Sequence, residues 1–164
     1  MVILGIDPGY AIVGYGILRY DKNRFTILNY GAVTTPAGMD FPQRLLEIYQ
    51  DLSCLFQKYH PDVMSIEKLF FNTNKKTAVD VAQARGVILL AAKANGAEIC
   101  EYTPLQVKQS VVGYGRAEKK QVQEMTRQLL GLSAVPKPDD TADALALALC
   151  HAHSSGSAYL RIVK

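Results

Sequence analysis

Val2-Ile3-Leu4-Gly5-Ile6-Asp7-Pro8-Gly9 decides how this chain is read. An apolar run without polar alternation predicts a strand over residues 2–7 that is buried on both faces. The strand ends in a carboxylate, and Pro8-Gly9 turns the backbone directly after it. Two further segments place acids at the edge of a core. Val63-Met64-Ser65-Ile66 runs into Glu67, and Asp139-Asp140-Thr141-Ala142-Asp143 opens an apolar helix that continues through Ala144-Leu145-Ala146. Desolvating unpaired carboxylates is costly, so acids in such places usually pair or hold metal. The pattern points to phosphate chemistry with divalent cations.

Outward from that strand, residues 11–20 and 24–34 alternate and are rich in β-branched and aromatic residues, with Asp21-Lys22-Asn23 as a turn. They predict an antiparallel hairpin and, with the first strand, a three-stranded meander. Over residues 41–60 the period becomes helical, with Leu45, Ile48, Tyr49, Leu52, Leu55 and Phe56 on one face, Pro42 in the first turn and Pro61 after the end. Residues 62–67 follow as a strand and 68–74 as a loop. A long helix runs from Lys75 to Asn95 with Gly96 as its stop. Residues 97–103 are a strand and 104–112 a short helix broken by Gly113-Tyr114-Gly115. Residues 117–130 are an amphipathic helix with Val122, Met125, Leu129 and Leu130 inward, and residues 140–153 a final helix. This order predicts an α/β fold: a mixed central sheet of about five strands, the first three antiparallel, with helices on both faces. The 164 residues show no repeat or internal boundary, so one domain over 1–164 is expected, with a loose tail from about 155.

Formal net charge is +3, which permits a nucleic-acid partner without demanding one. Cys54, Cys100 and Cys150 are far apart and odd in number, which argues against a disulfide framework or a zinc site. No apolar run approaches membrane-spanning length and no signal-peptide pattern is seen, so a soluble cytosolic protein is expected.

If strands one and four are parallel neighbours, Asp7 and Glu67 project to one spot at the carboxyl edge of the sheet, where ligands gather in α/β folds. Asp140 and Asp143 share a helix face. Read singly, each acid has a plainer account: a turn at Asp7, a surface acid at Glu67, an N-cap at Asp140, an N-cap or solvated neighbour at Asp139, a helix-dipole partner at Asp143. Lys108, Arg116, Lys119 and Lys120 surround the glycine break and suit either DNA phosphates or a solvated face. Phe70 and Phe71 follow Glu67 in a polar loop. Aromatics there can stack on unpaired bases, although Phe71 also suits the core. Lys68, Asn72, Asn74, Lys75 and Lys76 are further candidates for DNA contact. His60 reads as a loop residue, and His151 and His153 as packing or surface residues.

Leu4-Gly5-Ile6-Asp7-Pro8-Gly9, Ile66-Glu67, Gln83-Ala84-Arg85-Gly86-Val87, Gln106-Val107-Lys108-Gln109, Val111-Val112-Gly113, Ala117-Glu118-Lys119 and Ala142-Asp143-Ala144-Leu145-Ala146 occur in order along the chain. Together they resemble the RuvC-type Holliday-junction resolvases over essentially the whole sequence. The resemblance implies an RNase H-like fold and a homodimer whose twofold lies at the helix containing Ala78, Ala82, Ala84 and Gly86. It implies paired nicks in a four-way DNA junction during recombination and repair, by two-Mg²⁺ hydrolysis that leaves 5′-phosphate and 3′-hydroxyl ends, with Mn²⁺ able to substitute. The family's catalytic, metal-holding acids fall on Asp7, Glu67, Asp140 and Asp143, with Asp139 as an alternative to Asp140. Lys108 and Lys119 match lysines associated with DNA contact and the scissile phosphate. Phe70 matches a wedge at the junction. A RuvA–RuvB branch-migration complex is the implied partner, a bacterial cytoplasm the implied location, and thymine-rich cleavage sites the implied preference. Alternatives are another nuclease of this fold acting on RNA or hybrids, and a non-catalytic junction-binding module. An actin/hexokinase-like phosphotransferase would need two lobes, for which the chain is too short.

Overall fold

The computed structural model describes residues 1–69 and 75–155, with residues 75 and 76 described by their backbone alone. The meander forms as its alternation predicts: β1 (Val2–Asp7), β2 (Ile12–Asp21) and β3 (Arg24–Thr34) are antiparallel neighbours. After helix α1 (Phe41–Tyr59), β4 (Val63–Glu67) returns parallel to β1. Helix α2 (Lys75–Ala94) leads to β5 (Glu98–Tyr102), parallel to β4. The sheet order is β3-β2-β1-β4-β5. Three helices close the chain: α3 (Pro104–Val112), α4 (Lys119–Leu129) and α5 (Asp139–Ser154).

Strand alternation sorts the two sheet faces. Leu4, Ile6, Val13, Ile17, Met64 and Ile66 pack with Ile48, Leu52 and Phe56 of α1 and with Ala84 and Ile88 of α2. Ile3, Leu18, Val63 and Cys100 face the opposite way, onto α5. Local chemistry sets the helix ends. Asp40 accepts a hydrogen bond from the Gln43 amide at the start of α1, and His60 ends it in the left-handed region with φ 45°.

Helix α4 departs from expectation at one residue. Val122 is buried and Met125 and Leu130 pack against the core as expected, Gln123 and Thr126 are buried as well, and Leu129, the last helical residue, stays 39% exposed.

Helix α5 is covered by the sheet on one side and by α3 and α4 on the other, and residues 144–152 are buried without a break. Small residues seat it on four strands. A Cβ at Gly5 of β1 would collide with the Ala144 carbonyl oxygen, and one at Gly14 of β2 would collide with the Asp140 backbone and lie 2.9 Å from Asp140 Cβ. Ser65 of β4 donates to the Leu147 carbonyl at 2.8 Å, and Thr141 donates to the Gly31 carbonyl of β3 at 3.0 Å. Absent side chains let two backbones approach closely. The helix that carries two of the candidate acids is thereby fixed in depth against the strand that carries a third.

Candidate active site

Asp7 is the last residue of β1 and Glu67 the last of β4; Ile6 and Ile66, just before them, are parallel partners. The two carboxylates therefore leave the same edge of adjacent strands. Asp7 also lies in register with Gly14, the residue on which Asp140 is seated. Asp140 and Asp143 stand in the first turns of α5, above that edge.

The electrostatics show that all four acids share one space. Burial pushes the Asp7 carboxyl up to about 8, and Asp143, Glu67 and Asp140 add like-charge repulsion that Lys119 only partly offsets. Glu67 is raised too, first by burial and then by Asp143, again with Lys119 opposing. Asp139 belongs elsewhere. Its carboxylate accepts a 2.7 Å bond from Lys137 Nζ, which lowers its pKa, and it does not act on Asp7. Pro138, not an aspartate, is the N-cap of α5, so the capping accounts of Asp139 and Asp140 do not hold. The sequence left the choice between these neighbours open; the structure pairs Asp139 with Lys137, while Asp140 acts on Asp7.

Lys119 opens α4, and its Nζ lies 2.7 Å from Asp143 Oδ2 and 3.9 Å from Asp139 Oδ2. It stands among the acids. Lys108 joins it in lining a cavity of about 200 Å³ with Glu67, Pro104 and Asp143. A second cavity, of about 470 Å³, borders Asp7 and Glu67 and is lined by Pro8, Lys68, Leu69, Thr103, Pro104 and Leu105. Arg116 and Lys120 are exposed. Phe70, Phe71, Asn72 and Asn74, together with the side chains of Lys75 and Lys76, lie outside the described residues.

The donor set suits a hard cation: four carboxylates, with no thiol or imidazole among them. Among the described residues, no group of three or more such side chains already stands in metal-ligating geometry. Lys119 pairs with Asp143. Burial first and the neighbouring acids second raise Asp7, and a divalent ion would offset both. His60 ends α1, His151 Nδ1 pairs with the buried Tyr102 hydroxyl at 2.9 Å, and His153 meets Ser110. Sequence reasoning missed the buried ion pair between Arg85 of α2 and Glu101 of β5, and it missed the glycine seat beneath α5. A glycine inside a strand was the available signal for the second.

A family model described as crossover junction endodeoxyribonuclease RuvC matches residues 3–151. The chain belongs to this family. A crossover junction endodeoxyribonuclease RuvC of Alkaliphilus oremlandii is 61% identical over 154 residues, 94% of either chain. The solved Thermus thermophilus RuvC superposes with a TM-score of 0.91 at 32% identity, covering 99% of this chain and 100% of that one. T. thermophilus RuvC in complex with Holliday junction substrate gives a TM-score of 0.90 at 30% identity and the same coverage. The five-stranded mixed sheet with its antiparallel opening is the RNase H-like arrangement of the family's solved members.

Proposed function

We infer that this chain is an endonuclease that resolves four-way DNA junctions by phosphodiester hydrolysis. The observation that carries the reading is the convergence of Asp7, Glu67, Asp140 and Asp143 at one sheet edge in a chain of the crossover junction family. A relative of the same fold has been solved in complex with Holliday junction substrate. The family's endodeoxyribonuclease chemistry favours DNA over RNA or hybrids, and the intact acid set favours catalysis over a binding-only module.

We propose that the four acids hold two Mg²⁺ ions. Bound Mg²⁺ would supply a nucleophile from water at neutral pH and offset charge on the reacting phosphate. Asp7, at the end of β1 and facing α5, would be shared between the two ions. Lys108 and Lys119 hold the phosphate from the opposite side, and Lys119 opposes the charge that develops on it. Phe70 is assigned the wedge at the junction centre, and Arg116, Lys120, Lys75 and Lys76 contacts to flanking phosphates.

A homodimer would match the twofold symmetry of a junction and place one site on each of two strands. Its support is an apolar ridge on α1 and α2. Leu46, Val79 and Leu90 are 46%, 60% and 59% exposed, and Leu46 and Leu90 border a hollow lined by Leu45, Tyr49 and Val87. Hand-over from a RuvA–RuvB complex in the bacterial cytoplasm completes the proposal. Among the described residues, no helix is long and apolar enough to cross a membrane.

A labelled synthetic four-way junction, given with and without Mg²⁺, tests the reading. Wild-type protein should make paired nicks only with the metal. Asp7→Asn should bind the junction and leave it intact; equal cleavage by variant and wild type would refute the assignment.

A further inference from the structure

We propose that the cavity of about 470 Å³ beside Asp7 and Glu67 receives the sugar and base of the nucleotide attached to the scissile phosphate, with Leu105 as its base-contacting wall. The proposal deepens the junction-nuclease reading and rests on it.

Two hollows meet at the acids, and Glu67 and Pro104 border both. The smaller sets Lys108 and Lys119 among apolar walls that include Val107, Val122 and Leu147, and its paired lysines suit a phosphate. The larger carries one lysine, Lys68, and borders Asp7 directly. Apart from Asp7, Glu67 and Lys68, its walls are Pro8, Leu69, Pro104, Leu105 and Thr103. Its volume falls within the range of roughly 300–1,000 Å³ common to small-molecule sites. Thr103 has no free donor to offer it: its hydroxyl donates to Gln106 Oε1 at 3.0 Å and accepts from the Gln106 amide at 3.2 Å. The surface next to the acids on this side therefore suits the apolar face of a base better than its polar edge.

Leu105 stands on a fixed backbone turn with 54% of it exposed. The Thr103–Gln106 capping box and Pro104 fix the first turn of α3. Behind it lies Gly115, where an added Cβ would collide with Leu105 Cδ1 and lie 3.2 Å from Leu105 Cγ. Leu105 is thus braced from behind by bare backbone and open towards the cavity. A phosphodiester bound across the acids, with its phosphate towards the two lysines, leaves its nucleoside on the side of Leu105. Continuity with the acid cluster selects that occupant, since Asp7 and Glu67 are themselves part of the cavity lining.

The test is a double-mutant cycle between protein and substrate. Junctions carrying one abasic residue on either side of the scissile phosphate are cleaved by wild type, Leu105→Ala and Leu105→Met under single-turnover conditions. Wild type should lose roughly five- to a hundredfold in rate at one of the two positions, the range of one stacked base. Leu105→Ala should show a comparable loss on the intact junction and little further loss on that abasic junction, while Leu105→Met retains most of the wild-type rate. Thermal melting should leave Leu105→Ala close to wild type, because the side chain is half-exposed. Additive losses, an abasic residue tolerated on both sides, or wild-type rates for Leu105→Ala would each overturn the pocket while leaving the nuclease reading intact. Failure of wild type to nick the intact junction would overturn both.

Discussion

Asp7 is a carboxyl that the metal-free protein ionises only at a cost. Its folded pKa of about 8 lies above the value of roughly 3.9 expected in an unfolded chain. Between those values the folded state keeps a proton that the unfolded state releases, so the metal-free protein should lose stability as pH rises from about 4 to about 8. Asp7→Asn removes this cost. In EDTA at pH 8.5 it should melt above wild type, by roughly 2–4 °C per kcal/mol recovered. Calorimetry checks this, and a lower melting temperature would contradict the crowding of the acids. Mg²⁺ should raise the wild-type melting temperature at that pH and leave Asp7→Asn little changed. Lys119→Met should slow cleavage by about a hundredfold or more while junction affinity falls only modestly, measured by single-turnover cleavage and a binding titration. These residues were legible because a carboxylate ending an apolar strand is rare without purpose. The choice between Asp139 and Asp140 was not legible. It depends on Lys137, whose side chain reaches Asp139 only once Pro138 has set the start of the helix.

At the scale of the element, α5 governs the site because its depth sets where Asp140 and Asp143 stand. Gly14→Ala would drive a methyl group into the Asp140 backbone, which cannot yield without lifting the helix start. Gly16→Ala meets Leu145 at Cδ2 (2.6 Å) and Cγ (2.7 Å), with the helix Cα behind them at 3.1 Å, so it presses on α5 too, but less hard than Gly14→Ala, which meets the Asp140 carbonyl oxygen itself. Cleavage should therefore suffer much more from Gly14→Ala than from Gly16→Ala, and a rate comparison on the same junction decides it. Ser65→Ala leaves the Leu147 carbonyl one hydrogen bond short and should cost about 1 kcal/mol in a denaturant titration. Periodicity located α5 and its neighbours within a residue or two. It could not say which strand positions lie under the helix, because a glycine in a strand announces close approach without naming the partner. Helix α4 was misread at its end for a related reason. Leu129 obeys the apolar stripe, but burial depends on how far the neighbouring layer extends.

The whole molecule displays its apolar ridge on α1 and α2, on the sheet face opposite α5. If that ridge is the twofold contact, Leu90→Asp should shift the sedimentation coefficient to that of a monomer and abolish paired nicking. An unchanged sedimentation profile would remove the ridge from the interface. Junction affinity should also fall steeply with salt, because phosphate contacts release counterions. The mixed sheet with its antiparallel opening and the helices on both faces followed from the order of the elements. The interface did not, since an apolar residue that awaits a partner looks in sequence like one that fills a core. The seating of α5 has a practical consequence for engineering. Exchanging strand glycines for valine or isoleucine is an ordinary route to greater heat resistance, but Gly5 and Gly14 bar it on this half of the sheet. Gains of that kind must come from the layer of α1 and α2, where rigidity can be added without moving the acids.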